Sequence, residues 1–369
     1  IDKYSYSIDG VNWTADLEPA SSYTIDNLTF NTIYNLHLRV KDKAGNVEEK
    51  TLNIKTKGEC YTIDSSGYIT GYDYVSCSKN LVIPTYVEGK RVIGIKENTF
   101  RNKGITSVEF SEGIKEIKEG SFADNPIVQN ELIIPASVTK IGEEAFYSES
   151  KNINKVKILS SARLETSSFA GGDIKEADLS NTIEVGEAAF ENTNITKIKL
   201  SSTVEKIEER AFYNNKLDME ELVIPESLRE AGAYIFGSNS KNIKTVIWKS
   251  EIAVTNAAFW GSSIENIKII KSEGLEDLAF YQTSYKTVDL GNNIKKIGLY
   301  SLGFNHMNSS PTIVIPSTIE SINRLAFRHM RNARLIIKKP AGTIAHAPWG
   351  AEASTTVEYQ GWFNHPFFY

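Results

Sequence analysis

Three stretches of the chain repeat one phrase: residues 133–146 read IIPASVTKIGEEAF, residues 223–236 read VIPESLREAGAYIF and residues 314–327 read VIPSTIESINRLAF. Weaker copies also end on a large apolar anchor, and the anchors are Phe100, Phe122, Phe146, Phe169, Phe190, Phe212, Phe236, Phe259, Phe280, Leu302 and Phe327. The first nine anchors are spaced by 22, 24, 23 and 21 residues and then by the same four intervals again. This pattern indicates duplication of a four-unit block of 90 residues.

Each unit contains a short segment in which apolar and polar residues alternate, such as TSVEF at 106–110 and KTVDLG at 286–291. Alternation rich in Val and Ile predicts a β-strand. One such strand cannot bury its apolar face alone, so neighbouring units must stack and share a core. The sequence therefore predicts a mostly β solenoid of 11 to 12 coils in which each anchor fills the space behind a strand.

Proline and glycine recur at fixed places in the unit. Proline lacks an N–H and predicts the end of a strand at Pro84, Pro135, Pro225 and Pro316. We expect a tight turn at the glycines that precede four of the anchors, Gly142, Gly186, Gly232 and Gly298.

The phrase L-x-I-P-x-S-V-x-x-I-G-x-x-A-F, as it stands from Leu132 to Phe146, resembles the BspA-type leucine-rich repeat of bacterial cell-surface proteins. The resemblance covers roughly residues 78–340, and its specificity comes from the number of copies. It implies a right-handed leucine-rich-repeat solenoid and adhesion to host or microbial surfaces. It brings no catalytic motif.

The composition of the chain is that of a folded soluble protein. The 369 residues are 41% apolar and 24% charged, and the net charge is −5. No basic patch suits nucleic acid, and no apolar run approaches the roughly 20 residues that a membrane span requires. Because no catalytic, phosphate-binding or metal-ligand motif is found, we expect no enzyme activity, no cofactor and no metal site.

Residues 1–57 lack the repeat and alternate like antiparallel strands, with turn signals at Asp9-Gly10 and Gly45-Asn46. The stretch NTIYNLHLRVKDKAGN (31–46) resembles the end of a bacterial immunoglobulin-like or fibronectin type III-like module. About four strands are predicted where a sandwich needs about seven. We therefore expect a partial, β-sandwich-like spacer module.

The only two cysteines are Cys60 and Cys77. In a secreted protein they would form one bridge, and in a cytosolic protein they would be two buried thiols. We predict the disulfide. Because solenoid ends expose apolar surface, residues 58–80 are predicted to form an N-terminal cap before a solenoid at 81–338.

Residues 339–369 leave the repeat and are predicted to form a C-terminal cap. They contain an aromatic group made of Trp349, Trp362, Phe363, Phe367, Phe368 and Tyr369. The interpretation that we favour is that these side chains cover the last coil, because large apolar side chains are usually core. The alternative is an aromatic platform for a ligand.

Residues between the inward positions of each strand should face solvent. This column contains Lys157, Asp178 and Lys199 on three successive strands, and we interpret these residues as a solvated charge ladder. Further along the chain the column contains the candidate ligand-binding residues Val223, Ile247, Lys268, Asp289, Val314 and Ile336. The outward apolar pairs, Val223 with Ile247 and Val314 with Ile336, indicate an interaction surface. The alternative is that the duplication copied them without selection for binding, or that a neighbouring side chain covers them.

Together these features predict an extracellular bacterial surface protein that is not an enzyme. We expect a protein ligand on a host or microbial surface, bound by the solenoid, and no nucleic acid partner. The alternative is a carbohydrate- or cell-wall-binding module in which Trp260, Trp349 or Trp362 stacks on sugars.

Overall fold

A computed structural model describes residues 1–20, 22–25, 28, 33–55, 60–304 and 310–360. The regular secondary structure of these residues consists of β-strands alone, and they include no helix that could span a bilayer. The chain divides into two compact units. The first holds Ile1–Thr62 and Tyr72–Ser78, and the second holds Ile63–Gly71 and the chain from Lys79 onward.

The first unit contains an antiparallel sheet of three strands, Lys3–Ser7, Ile33–Lys41 and Val47–Lys55. The hairpin turn between the last two is closed by the Asp42 N–H, which donates to the carbonyl of Asn46 at 3.0 Å. Gly45 adopts a φ of 87°, which agrees with the predicted turn. The described part of this unit shows one sheet, so the predicted sandwich-like module stays a prediction.

In the second unit, parallel strands form the first of two sheets. Thirteen strands follow one another along it: Asn80–Ile83, Ser107–Phe110, Val128–Ile134, Asn152–Ile158, Asp173–Leu179, Lys197–Leu200, Met219–Ile224, Asn242–Trp248, Ser263–Ile269, Thr287–Asp289, Thr312–Ile315, Arg334–Ile337 and Thr356–Tyr359. The last strand pairs with Arg334–Ile337 and lies in the segment expected to be a cap. The described chain therefore has about thirteen coils rather than 11 to 12.

The second sheet is made of shorter parallel strands, one from nearly every coil. Its strands are Tyr68–Tyr72, Gly94–Ile95, Glu116–Ile117, Lys140–Ile141, Arg163–Leu164, Glu184–Val185, Lys206–Ile207, Glu230–Ala231, Gly274–Leu275, Lys296–Ile297 and Ser321–Ile322. Val254 joins the series by a single bridge to Leu275. Tyr61–Ile63 is the end strand of this sheet, next to Tyr68–Tyr72. The remaining two strands form the small hairpin of Tyr86–Val87 with Lys90–Arg91. The solenoid predicted from the repeat is confirmed.

The anchors stack in one file between the two sheets. Rings of the nine phenylalanines from Phe100 to Phe280 lie face to face, with neighbouring centroids 4.9–5.5 Å apart and the interplanar angle never above 15°. All nine are buried, as are Leu302 and Phe327. The predicted arrangement of the anchors is confirmed.

The backbone turns at each anchor through residues in the left-handed region. Two positions before the anchor, a positive φ is found at Asn98, Gly120, Glu144, Ser167, Ala188, Arg210, Tyr234, Ala257, Leu278 and Tyr300. Most of these residues are not glycine, so the sequence carries no clear signal for the turn.

A tight turn does begin at the recurrent glycines, as where the Ala145 N–H donates to the carbonyl of Gly142 at 3.2 Å, but the turn does not require the backbone freedom of glycine. Gly142 and Gly232 do not have a positive φ. A Cβ atom on Gly142 would lie 2.6 Å from the Glu119 nitrogen, and one on Gly232 would lie 2.2 Å from the Glu209 nitrogen. These glycines are therefore required by the close approach of the preceding coil.

Candidate functional site

The six predicted ligand-binding residues lie on one face of the first sheet, in a single row. Val223 pairs with Ile247, Ile247 with Lys268, and Lys268 with Asp289. The row continues from Asp289 through Val314 to Ile336. Because neighbouring strands are about 4.8 Å apart, the row is roughly 24 Å long.

The exposure of this row is uneven. Lys268 and Asp289 are exposed, and Val223, Ile247 and Val314 are half-buried. Ile336, expected at the surface, is only 9% exposed. The thirteenth strand lies beside it and places Glu358 opposite it. The expected exposure of Ile336 was wrong because this strand was not predicted.

The predicted charge ladder of Lys157, Asp178 and Lys199 is also in register. Lys157 pairs with Asp178, and Asp178 pairs with Lys199. The ion pairs on this face include some from the neighbouring column, such as Lys197 with Glu176 at 3.4 Å. Such exposed pairs contribute about 0–1 kcal/mol each, so they do not by themselves define a site.

A groove of about 810 Å³ opens on the same face, where the first sheet is interrupted between Lys197–Leu200 and Met219–Ile224. Its lining includes Ile198, Met219 and Glu221. Sequence analysis missed the groove because both flanking segments have ordinary strand patterns. The signal that could have found it is the 24-residue spacing between Phe212 and Phe236.

The three tryptophans proposed for sugar stacking differ in accessibility. Trp349 is fully buried, contacts Phe327 at a centroid distance of 6.0 Å, and donates its indole N–H to the carbonyl of Ala345 at 2.7 Å. It therefore cannot serve as a platform. Trp362 lies outside the described residues, as do the other aromatic residues between 363 and 369.

Trp260 is half-buried and lies in a chain of edge-to-face aromatic contacts. Its ring centroid is 6.2 Å from that of Tyr234, whose ring in turn lies 6.2 Å from Tyr213. The guanidinium of Arg210 lies over Tyr213 at 4.7 Å. Of the three tryptophans, Trp260 is thus the one that is described and not fully buried.

Lys151 is a buried cation that sequence analysis did not identify. It is 2% exposed, and its Nζ donates to the carbonyls of Ser148, Ala170 and Gly171. Burial lowers the pKa of Lys151 to about 7, because desolvation disfavours the ammonium form, while the charge of Glu149 opposes the shift.

The neighbouring coils explain the position of Lys151. In other coils a buried polar residue three positions after the anchor donates to nearby carbonyls, including that of the anchor and that of the residue after it, as Asn125 and Asn215 do. After Phe146 and Phe169 that position holds Glu149 and Gly172 instead, so the lysine supplies the donors. This arrangement assigns Lys151 a structural role.

The predicted disulfide between Cys60 and Cys77 is present. In the described part of the chain, no group of three His, Cys, Asp or Glu side chains is placed to hold a metal ion. The described surface therefore presents ion pairs, half-buried aliphatic side chains and a groove where the first sheet is interrupted.

The profile of the BspA type leucine rich repeat region matches the chain over residues 74–185, 163–276 and 273–346, in six copies. The chain belongs to this family. The match covers most of the second unit and agrees with the BspA-type phrase at Leu132–Phe146. Among curated proteins, none matches the chain.

Three solved structures resemble this BspA-type chain at low identity. A leucine rich cell surface protein from Faecalibacterium prausnitzii A2-165 is 16% identical, with 93% of this chain and 96% of that chain covered and a TM-score of 0.45. The pneumococcal vaccine antigen PcpA is also 16% identical, with 90% and 99% covered and a TM-score of 0.43. A leucine-rich repeat protein from Eubacterium ventriosum ATCC 27560 is 18% identical, with 66% and 74% covered and a TM-score of 0.35.

Proposed function

We propose that this BspA-type protein acts outside the cell, at a bacterial surface, as a non-enzymatic adhesion protein that binds a protein ligand on a host or microbial surface. The disulfide supports an oxidising location. Family membership supports a role at the surface.

The observation that carries the proposal is the row from Val223 to Val314. Five consecutive positions across paired strands, Val223 to Val314, combine half-buried aliphatic side chains with one exposed cation and one exposed carboxylate. A rigid sheet presents these groups without ordering cost, and such a mixture suits a protein surface. We propose Val223, Ile247, Lys268, Asp289 and Val314 as the contact residues, and we leave out Ile336 because it is buried beside Thr356–Tyr359.

A matched pair of substitutions tests this row. Val223→Glu places a charge inside it, and Ile133→Glu makes the same kind of change at the position 90 residues earlier, in the other block. Against a panel of extracellular matrix and cell-surface proteins, we expect Val223→Glu and Ile247→Glu to lower the affinity for a ligand at least tenfold. Ile133→Glu should leave that affinity unchanged. Equal effects of the two charges would contradict the proposed location.

Glycan binding is the second candidate, and the accessible face of Trp260 beside Tyr234 favours it. Sugars stack on such faces by apolar contact with the aromatic ring. A glycan array provides the test, with Trp260→Ala as the variant and the buried Trp349 left intact. Sugar binding that is lost in Trp260→Ala, together with no protein ligand on the panel, would reverse the order of the two candidates.

A further inference from the structure

The first sheet is interrupted at two places that are copies of each other. No ladder joins Ser107–Phe110 to Val128–Ile134, and none joins Lys197–Leu200 to Met219–Ile224 in this described stretch. The two interruptions are 90 residues apart, and each precedes the longest unit of its block. They therefore offer two versions of one local structure to compare.

At the first interruption the side chain of Gln129 replaces the missing ladder. The Val108 N–H donates to Gln129 Oε1 at 2.8 Å. Gln129 Nε2 donates to the carbonyl of Val108 at 3.3 Å and to that of Glu131 at 2.8 Å. One primary carboxamide thus accepts one hydrogen bond and donates two.

At the second interruption Met219 stands in the place of Gln129. The registers agree, because Gln129 pairs with Ile153 and Met219 pairs with Ile243. The backbone agrees as well: the Asp218 N–H donates to the carbonyl of Thr196 at 2.9 Å, as the Val128 N–H does to Thr106 at 2.8 Å. A thioether has no N–H to donate and accepts only weakly, so Met219 cannot make the contacts of Gln129.

The groove of about 810 Å³ opens at this second interruption. Ile198 and Glu221, the counterparts of Val108 and Glu131, line it together with Met219. Four lysines and six carboxylates also line it, so its charge is negative. The carboxylates are those of Glu176, Asp178, Asp218, Glu220, Glu221 and Glu265.

We propose that this groove binds a peptide segment of a protein ligand through a glutamine side chain flanked by basic residues. The inserted carboxamide would occupy the place that Gln129 occupies in the first block. The excess of carboxylates favours lysine or arginine beside the glutamine. This inference deepens the proposed function and rests on it, since it names a chemical feature of the protein ligand.

The number of N–H donors on the inserted group distinguishes a glutamine side chain from an N-acetylated amino sugar as the ligand. The carboxamide of Gln129 donates to two carbonyls, which requires the two N–H groups of a primary amide. The acetamido group of an N-acetylated sugar has one N–H and would leave one carbonyl without its donor. Leaving a buried polar group unpaired weakens binding, so the observations favour the glutamine peptide.

A short peptide with the sequence Ala-Lys-Gln-Lys-Ala, blocked at both ends, provides the probe. The chain has three methionines, so ¹³C-methyl methionine spectra give few signals, and Met219→Gln assigns that of Met219. We expect the wild-type Met219 signal to shift on titration with the peptide. Replacing the glutamine of the peptide by glutamate should weaken binding at least tenfold, because a carboxylate has no N–H to donate.

Two variants of the protein complete the test, with binding followed by fluorescence anisotropy of a labelled peptide. Met219→Gln should fill the groove from within, weaken binding at least tenfold and leave the melting temperature equal or higher. Gln129→Met should open the equivalent place and raise the stoichiometry from one peptide to two. If Gln129→Met does not fold, the binding measured for Met219→Gln decides the test alone.

The inference is overturned if wild-type protein binds no peptide at millimolar concentration, or if Met219→Gln binds it as tightly as wild type. A chitin oligomer that shifts the Met219 signal while the peptide does not would also overturn it, in favour of an acetamido ligand. If the groove does not bind the peptide but Val223→Glu still lowers the affinity for a protein ligand, the inference is wrong and the proposed function stands. If the peptide does not bind and Val223→Glu also leaves the affinity for a protein ligand unchanged, both the inference and the proposed function are overturned.

Discussion

Phe146 lies parallel to Phe169, with ring centroids 5.0 Å apart and an angle of 5° between the ring planes. Each of the seven rings from Phe122 to Phe259 is covered on both faces by the rings of adjacent coils. The apolar contact of one coil is therefore completed by its neighbours, and the free energy of folding belongs to the stack rather than to single coils.

Removing one ring from the middle of the file should be costly. Phe169 is fully buried between Phe146 and Phe190. Phe169→Ala is expected to lower the free energy of unfolding by about 3–5 kcal/mol, because it leaves a cavity that rigid neighbours cannot fill. Phe169→Leu should cost clearly less, since Leu302 occupies the same place in its own coil. Urea unfolding followed by circular dichroism measures both, and equal losses would contradict the stacking argument.

Alanine substitutions at two glycines distinguish a glycine that is required by close packing from one that is required by a left-handed backbone. A Cβ on Gly232 would meet the Glu209 nitrogen at 2.2 Å, whereas Gly261 has a φ of 66° and no atom within 4 Å of its Cβ position. Gly232→Ala should destabilise by about 2–3 kcal/mol through overpacking, and Gly261→Ala by about 1–2 kcal/mol through left-handed strain. Thermal and urea unfolding of the two variants provide the measurement. A larger loss for Gly261→Ala would contradict this ranking.

Lys151 should make stability depend on pH. An unfolded lysine titrates near 10.4, and burial lowers the folded pKa of Lys151 to about 7. Between these values the unfolded chain binds more protons than the folded chain, so the free energy of unfolding rises as pH increases from 7 to 10. The rise approaches about 1.4 kcal/mol per pH unit in the middle of that window.

Lys151→Met should remove this slope, and Lys241→Met should not. Lys241 occupies the position 90 residues later but is exposed. Urea unfolding at pH 7, 8 and 9 of wild type and both variants gives the comparison. Identical slopes for wild type and Lys151→Met would show that Lys151 does not titrate in this window.

The disulfide should stabilise the unit that contains it. Cys60 and Cys77 are separated by 17 positions, and closing a loop of that length contributes about 3 kcal/mol by restricting the unfolded chain. Replacing both cysteines by serine is expected to lower the free energy of unfolding by that amount. Mass spectrometry of the unreduced protein gives an independent check, because two free thiols would make the chain heavier by two hydrogen atoms.

The sequence was sufficient for features that depend on local periodicity. The anchor spacing predicted the phenylalanine file, and the alternation in each strand placed Val223, Ile247 and Lys268 in one row. Both follow from a repeat in which equivalent residues must stack.

Features that depend on contacts between different coils were not predicted. Gly232 has its role because of the Glu209 backbone in the preceding coil. Lys151 is buried where two coils lack a buried polar residue three positions after the anchor. The strand Thr356–Tyr359 follows no anchor phrase, and its pairing hides Ile336. Each of these outcomes is set by a neighbour that the pattern of a single unit does not describe.

The duplicated block also has a genetic consequence. Excising residues 136–225 would join Pro135 to Glu226, and the new chain would run from one block into the other at equivalent positions. Each remaining coil would still pack against a coil equivalent to its present neighbour. The two blocks match even at the buried polar position, which is Asn125 in one and Asn215 in the other. Unequal recombination within this gene can thus change how far the protein reaches, in steps of one block, without creating a mismatched junction.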